Sequence, residues 1–235
     1  MRIEWGLEEF DLEAFRADFR VMADEFQMHW RLELLTERPR VALFTSQFLH
    51  CVADILHRHQ SGELACAVDL VVSNHPDAGP LARFYGVEFH HIPVKAEAKA
   101  EAHAAQLQLL REKRIDLVVL ARYMQILPPE FVREFPRRII NVHHSFLPAF
   151  IGARPYHAAF HRGVKLIGAT SHYVTEALDD GPIIEQDVAR VSHRDQVEDL
   201  VQKGRDLERV VLARAIQWHL EHRILCYGNK TVIFN

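Results

Sequence analysis

The residues best suited to do chemistry lie at the end of an apolar stretch in the middle of the chain. The β-branched residues Ile140 and Val142 favour a strand, and Pro148 ends any regular continuation. Residues two apart share one face of a strand, so Asn141 and His143 project together while Val142 points into a core layer. An amide and an imidazole that converge on one point can hold a carbonyl oxygen and stabilise the oxyanion that attack creates. Imidazole titrates near neutrality, so His143 could also pass a proton to a leaving nitrogen.

A carboxylate that could serve this pair lies downstream, in the turn at residues 178–182. Gly181 permits a turn with a positive φ, and Pro182 fixes the backbone that follows. The turn should therefore be rigid enough to aim the carboxylate of Asp179 or Asp180. Each pattern also has an ordinary interpretation, because Asp-Gly-Pro is a common turn and an isolated Asn-x-His is more often hydrogen-bonded scaffold than a catalytic pair.

Taken together, these patterns resemble the motifs of a known family. The motifs are N-x-H-x-S-x-L-P at residues 141–148, G-x-x-P at residues 152–155 and L-D-x-G-P at residues 178–182. They are similar to those of the formyltransferase-fold enzymes that use 10-formyltetrahydrofolate, and the whole chain most resembles the formyltetrahydrofolate deformylases. The resemblance implies that Asn141, His143 and Asp179 form the catalytic triad. Asp180 is then a neighbour of the triad.

The resemblance also implies a folate-binding loop after the apolar strand at residues 116–121. The residues predicted to bind the folate are Arg122, Tyr123, Met124, Gln125, Ile126 and Leu127, together with Gly152. Backbone groups of such a loop suit a flat, hydrogen-bonding heterocycle, and Met124 and Ile126 could form an apolar wall. By resemblance this heterocycle is the pterin of folate. Without the resemblance, the apolar loop would be interpreted as packing.

The turn after the first strand bears on which acceptor takes the formyl group. Residues 45–48 contain no glycine, although a loop that holds a phosphate needs close backbone approach. In the related glycinamide ribonucleotide transformylases this turn is glycine-rich, whereas Gln47 and Phe48 are bulky. The resemblance therefore implies hydrolysis of 10-formyltetrahydrofolate to formate and tetrahydrofolate, which would supply formate for purine biosynthesis and balance one-carbon folate pools. A formyltransferase, or a folate-binding or amino-acid-sensing protein without catalysis, remains an alternative.

Strand and helix patterns alternate through the main part of the chain, residues 39–235. This alternation predicts an α/β fold, a doubly wound and mostly parallel sheet flanked by helices, as the formyltransferase-like catalytic domain. Toward the C terminus, a long helix is predicted from a cap at residues 192–195 to about His222. A terminal hairpin is predicted around Gly228 and Asn229.

Residues 1–38 have a different pattern. Strand-like residues 1–5 and 29–35 flank apolar residues at helical spacing from Asp11 onward. This unit resembles the second half of the ACT-type regulatory domain that deformylases carry in front of the catalytic domain. Half a module would leave strand edges exposed, so a homo-oligomer is predicted. The alternative is an amphipathic helix that caps the main domain.

Composition narrows the classes of protein. With 235 residues, 49% of them hydrophobic, the chain can bury a substantial core. A formal charge of -4 argues against a nucleic-acid partner. Three cysteines without paired spacing, with no signal sequence or membrane-spanning run, predict a cytoplasmic protein with no membrane partner. His157 and His161 are one helical turn apart but lack the glutamate of H-E-x-x-H, so no metal is predicted. No cofactor is predicted either, since the folate is the substrate.

Overall fold

The structure is a computed structural model that describes residues 1–6, 10–149 and 155–234. These residues form a seven-stranded sheet flanked by helices, and a separate two-stranded hairpin. The strands are β1 (Arg40–Thr45), β2 (Ala67–Ser73), β3 (Glu88–His91), β4 (Leu117–Leu120), β5 (Ile139–His143), β6 (Leu166–Tyr173), β7 (Ile183–Arg190), β8 (Ile224–Tyr227) and β9 (Lys230–Ile233). The helices are α1 (Leu12–Glu25), α2 (His50–Gln60), α3 (Gly79–Phe84), α4 (Lys99–Glu112), α5 (Pro129–Glu134), α6 (Pro155–Arg162) and α7 (Val197–Leu220), with 3-10 turns at Pro76–Ala78 and Ala96–Ala98.

The seven strands lie in the order β3-β2-β1-β4-β5-β6-β7. The pairs from β3 to β5 are parallel, whereas β6 is antiparallel to β5 and β7 to β6. The central strands β1 and β4 are apolar along almost their whole length because helices cover both of their faces. The predicted doubly wound, mostly parallel sheet is confirmed.

Two core layers lie on opposite faces of this sheet. Helices α2, α3 and α7 cover one face, where Leu43, Ile55 and Leu212 are buried. Helices α4 and α5 cover the other face, where Leu110 and Phe131 are buried. The chain therefore changes face between β1 and β4, which are neighbours in the sheet. In open α/β sheets, ligands bind in the crevice outside the carboxyl ends of the strands at such a switch point.

The N-terminal segment corrects one expectation. Helix α1 forms as predicted, with the side chain of Asp11 accepting from the amides of Glu13 and Ala14. Residues 1–5 and 29–35 form no strand, because within the described residues no other strand lies beside them to pair with. The N-terminal segment instead packs through aromatic rings: Phe19 lies edge-on against Trp30 at a centroid distance of 4.9 Å. The ACT-like assignment of residues 1–38 stays a prediction.

The C-terminal elements agree with expectation except at the start of α7. This helix is capped by Gln196, whose side chain forms a reciprocal capping box with Asp199, and not by residues 192–195. The side chain of Asp195 instead accepts from the backbone N–H of Ser192 and pairs with Lys203. The predicted terminal hairpin is confirmed as β8 and β9. In the part of the chain that the structure describes, we find no helix that combines the length and the apolar character needed to cross a membrane.

A histidine near the end of α7 is expected to make the fold sensitive to acid. The Tyr173 hydroxyl lies 2.7 Å from Nδ1 of His219 and donates to it when the ring is neutral. Burial lowers the pKa of His219 to about 4 from an ordinary value of 6.5, so between these values the unfolded chain binds a proton that the folded chain does not. The free energy of unfolding should therefore be fully retained above about pH 6.5 and fall by about 2 kcal/mol toward pH 4.5 through this group. Urea unfolding at pH 7 and pH 4.5 measures this loss, which should be smaller in His219→Gln. An equal loss in both proteins would contradict the assignment to His219.

Candidate active site

Strand β5 presents the two polar side chains as its alternation predicts. Ile140 and Val142 lie in the core layer beneath α7. Asn141 and His143 project from the opposite face of the strand. The antiparallel register of β5 and β6 then places His172 directly opposite Asn141.

The turn at residues 178–182 brings a carboxylate to this strand end. Nδ1 of His143 lies 3.3 Å from Oδ2 of Asp179, and both side chains are largely buried. Asp180, in contrast, is exposed. The carboxylate beside His143 is therefore that of Asp179, the residue that the resemblance pointed to.

The backbone of this turn corrects a second expectation. The positive φ belongs to Asp179, at 53°, and not to Gly181. A non-glycine residue in this region is strained unless its surroundings hold it there. Gly181 is required for a different reason: a Cβ at this position would lie 1.7 Å from the backbone oxygen of Tyr173. The turn thus packs directly against the end of β6, which fixes the direction of the Asp179 side chain.

Charge and hydrogen bonding at this site favour an ionised carboxylate beside an imidazole. The hydrogen bond with His143 holds the pKa of Asp179 below its ordinary value, against the opposing effect of burial. Nε2 of His143 is buried and has no hydrogen-bond partner among the described residues. With Nδ1 turned to Asp179, Nε2 is the atom left to contact a reactant.

His172 is a site residue that the sequence did not single out. Burial lowers the pKa of His172, so its ring is neutral near pH 7. Its Nδ1–H donates to the backbone oxygen of Tyr173 at 3.0 Å, which leaves Nε2 to accept from Nδ2 of Asn141 at 3.2 Å. Nε2 also lies 3.7 Å from Oδ1 of Asp179. His172 therefore orients the Asn141 amide so that its second amide hydrogen can meet a developing oxyanion.

Replacing His172 should lower turnover by misplacing Asn141. We expect His172→Ala to reduce kcat for the proposed hydrolysis by about tenfold with little change in KM, because the amide would turn away from the oxyanion. His172→Gln, which keeps an acceptor near the position of Nε2, should recover part of the loss. His91→Ala, the same exchange at an exposed position on β3, is the control. Steady-state kinetics on all three variants check this, and an unchanged kcat in His172→Ala would refute the positioning role.

The predicted folate loop is split between core and surface. Tyr123 and Leu127 are buried in the layer beneath α4 and α5, and the Tyr123 hydroxyl accepts from the Gln106 side chain at 2.9 Å. Met124 and Ile126 are exposed, with 47% and 70% of their surface accessible, and Gln125 is partly exposed between them. Met124, Gln125 and Ile126 are therefore the members of this loop that a ligand could reach, and Arg122 is buried. The binding roles of all six stay predictions, and Gly152 lies outside the described residues.

The loop is tied to its neighbours across the sheet edge. The Ser46 hydroxyl after β1 accepts from the backbone N–H of Met124 at 3.0 Å and donates to Oδ1 of Asn74 at 2.6 Å. Three strand ends, those of β1, β2 and β4, are joined by this one side chain. The backbone N–H of Met124 is thereby engaged within the protein.

A second buried cluster bears on the expectation about metals. His157 and His161 are exposed on α6. Among the residues that the structure describes, His50, Cys51 and Glu208 could offer three ligand atoms to one ion. Burial raises the pKa of the Cys51 thiol well above its ordinary value, so the thiolate that binds metals is disfavoured. The Glu208 carboxylate already pairs with Arg122 and accepts a hydrogen bond from Tyr156. The absence of a metal stays a prediction.

Comparison with known proteins places this chain in a family. Residues 39–216 match the family model described as formyl transferase. A formyltetrahydrofolate deformylase of Synechocystis sp. is 54% identical over 99% of this chain and 82% of its own length. Another, from Bacillus subtilis, is 52% identical over 94% of this chain and 74% of its own length.

Solved structures give the same result. A formyltetrahydrofolate deformylase from Pseudomonas syringae pv. tomato superposes with a TM-score of 0.93 at 53% identity, covering 96% of this chain and 76% of its own. A glycinamide ribonucleotide transformylase from Symbiobacterium toebii superposes with a TM-score of 0.80 at 32% identity, covering 88% of this chain and 99% of its own. The chain shares the fold of these structures, matches the family model, and is about half identical in sequence to named deformylases over almost its whole length. It therefore belongs to the formyl transferase family, among the formyltetrahydrofolate deformylases.

Proposed function

We propose that this protein hydrolyses 10-formyltetrahydrofolate to formate and tetrahydrofolate. The observation that carries the proposal is the contact of His143 with Asp179 at the end of β5, the strand that also carries Asn141, with Nε2 of His143 left without a hydrogen-bond partner among the described residues. The relatives named as deformylases support the substrate and the reaction. Because the folate is consumed, it is a substrate and not a cofactor.

In the proposed mechanism, water attacks the formyl carbon. Asn141 and protonated His143 stabilise the oxyanion, since both present donors to the same point on one strand face. The ionised Asp179 holds His143 in place and stabilises the imidazolium through the contact at 3.3 Å. The tetrahedral intermediate collapses as the bond between carbon and N10 breaks. One proton of the attacking water passes to Asp179 and from there, through a second water molecule, to N10, while the formic acid that forms loses its proton to solvent and leaves as formate.

The exposed part of the folate loop would contact the pterin. Met124 and Ile126 offer apolar surface beside the strand end, and backbone groups of the loop can hydrogen-bond a flat heterocycle. The hydrogen bond from the Met124 N–H to the Ser46 hydroxyl fixes the backbone of this loop. Ser46 thus holds the loop in position for the ligand.

The test is incubation of purified protein with 10-formyltetrahydrofolate alone, in buffer with a chelator. Formate and tetrahydrofolate should appear in equal amounts without any amine, and glycinamide ribonucleotide should neither accelerate the reaction nor become formylated. Tetrahydrofolate that appears only with this acceptor would establish a transferase, the activity named for the Symbiobacterium toebii neighbour. Folate binding without turnover in either condition would establish a non-catalytic protein. Activity lost to the chelator and restored by one metal would overturn the metal-free mechanism.

We also propose that the protein forms a homo-oligomer through its N-terminal segment. Met22 and Phe26, four residues apart and so on one face at the end of α1, leave 49% and 66% of their surface accessible, and Ala23 is the one residue of α1 that is buried. Adjacent exposed apolar side chains are typical of a surface covered by another chain.

Light scattering across micromolar concentrations should find a dimer or larger species. Phe26→Glu should shift it toward the monomer, because a charge would be buried without a partner at the interface. Phe84→Glu, at an exposed phenylalanine on α3, should leave the mass unchanged. A wild-type protein that is monomeric at every concentration contradicts the proposal.

A further inference from the structure

The crevice between the ends of β1 and β4 is filled by the protein's own side chains. Open α/β sheets bind ligands at this switch point. In this chain Phe48, in the connection from β1 to α2, meets Arg122, in the loop after β4, with the guanidinium carbon 5.3 Å from the ring centroid. The guanidinium carbon of Arg205 on α7 lies 5.7 Å from the same ring. A second reactant, such as an amine that accepts the formyl group, would need this space.

Arg122 is held in the crevice by its backbone and by charge. Its φ is 63°, in the left-handed region that glycine favours. This strained conformation sends the side chain beneath Phe48, and Nε and Nη1 are buried without a hydrogen-bond partner among the described residues. Nε lies 3.4 Å from Oε2 of Glu208, whose side chain is 1% exposed. The cation is thus paired by charge and largely buried, with 10% of its side-chain surface accessible.

Glu208 anchors this arrangement from α7. Its Oε1 accepts from the Tyr156 hydroxyl at 2.8 Å, and its Oε2 lies 2.7 Å from Nε2 of His50. Burial opposes ionisation of Glu208, but the hydrogen bond with His50 and the charge of Arg122 outweigh it and hold its pKa below the ordinary value. Gly204 leaves room for this contact, because a Cβ there would lie 2.1 Å from the Tyr156 ring.

The cluster extends to the proposed catalytic strand end. The rings of Tyr156 and His144 lie 6.3 Å apart, and those of His144 and His143 lie 5.2 Å apart. A series of neighbouring side chains therefore connects Arg122 at the switch point with the proposed reacting centre.

We propose that Arg122 and Phe48 determine the specificity of the reaction by closing the acceptor side of the site, so that water is the nucleophile that reaches the formyl carbon. The inference rests on the proposed hydrolysis and adds the reason why an amine does not compete. The same fold occurs in a protein named as a glycinamide ribonucleotide transformylase, so the fold by itself does not decide the acceptor.

An amine competition experiment tests this. The variants are Phe48→Ala and the double variant Phe48→Ala with Arg122→Gly, in which glycine suits the positive φ of position 122. Each protein is given 10-formyltetrahydrofolate and a fixed excess of glycinamide. Attack by the amine would form a bond from its nitrogen to the formyl carbon and break the bond to N10. The proton that the amine loses would pass to N10, giving formylglycinamide and tetrahydrofolate. Mass spectrometry of formylglycinamide and formate gives the partition between the two acceptors.

We expect the ratio of formylglycinamide to formate to rise by about tenfold in the double variant and by about threefold in Phe48→Ala. Phe84→Ala and Arg114→Gly are matched controls and should match wild type, since Phe84 is exposed and Arg114 has a similar φ of 51° at an exposed position. Folding of each variant is checked by circular dichroism. Phe48 is 40% exposed, so its truncation should be tolerated even if the double variant does not fold.

The outcomes are distinct. If wild type releases formate and neither folded variant changes the partition, Arg122 and Phe48 do not select the acceptor and the inference fails. If wild type itself formylates glycinamide as readily as the variants do, the crevice is not closed and the inference also fails. If wild type shows no turnover of 10-formyltetrahydrofolate under any condition, it is the proposed function that fails.

Discussion

Replacing His143 by alanine is expected to lower kcat for formate release by about a hundredfold or more, because the variant loses a donor that is aimed at the oxyanion. Asn141→Ala and Asp179→Asn should each cause a loss of similar size. The three side chains act as one unit, with His143 and Asp179 in contact at 3.3 Å, so a double variant should lose little more than either single one. Formate release under saturating substrate measures kcat, and circular dichroism confirms that each variant is folded.

The control for this prediction is the neighbouring carboxylate. Asp180 is exposed and lies next to Asp179 in the same turn, so Asp180→Asn removes the same charge at nearly the same place. It should retain most of the activity, because the charge that contacts His143 is untouched. Near-normal turnover in all three site variants would disprove the assignment. A larger loss of kcat in Asp180→Asn than in Asp179→Asn would show that Asp180 supplies the catalytic carboxylate.

Gly181→Ala is expected to destabilise the protein by about 2 kcal/mol or more and to lower turnover as well. Its Cβ would lie 1.7 Å from the backbone oxygen of Tyr173, so the turn has to move away from β6. The backbone N–H of Tyr173 donates to the oxygen of Pro182 at 3.0 Å, and this hydrogen bond would be strained by the same movement. Asp179, two residues earlier, would shift relative to His143.

Urea unfolding and kcat, measured on the same preparation, check both parts of this prediction. Gly6→Ala is the matched control, because a Cβ there meets no atom of the described residues within 4 Å and its φ is not positive. A stable Gly181→Ala protein with normal kcat would show that the turn does not need this close approach. A destabilised protein with normal kcat would show that the turn supports the fold without aiming Asp179.

Local patterns determined much of the fold and part of the site. The alternation of strand and helix patterns predicted the doubly wound sheet, because a buried parallel strand needs a continuous apolar run that is visible in the sequence. The two-residue period of a strand placed Asn141 and His143 on one face. Asp179 needed the family motif, because no local rule connects a turn at residues 178–182 with a strand end at residue 143.

The tertiary structure decided what depends on residues far apart in the chain. His172 faces Asn141 through the register of β5 and β6, and a sequence does not show register. Glu208 meets His50 across 158 positions of the chain, so the sequence did not show that the crevice is closed. It showed only that the turn before α2 lacks glycine. The sequence singled out Gly181 as a turn residue. The structure shows that glycine is needed there because the carbonyl of Tyr173 lies so close, and not because the φ of Gly181 is positive. The strand patterns at residues 1–5 and 29–35 formed no strand because pairing needs a neighbouring edge as well as a suitable sequence, and only the assembled fold shows which edges are present.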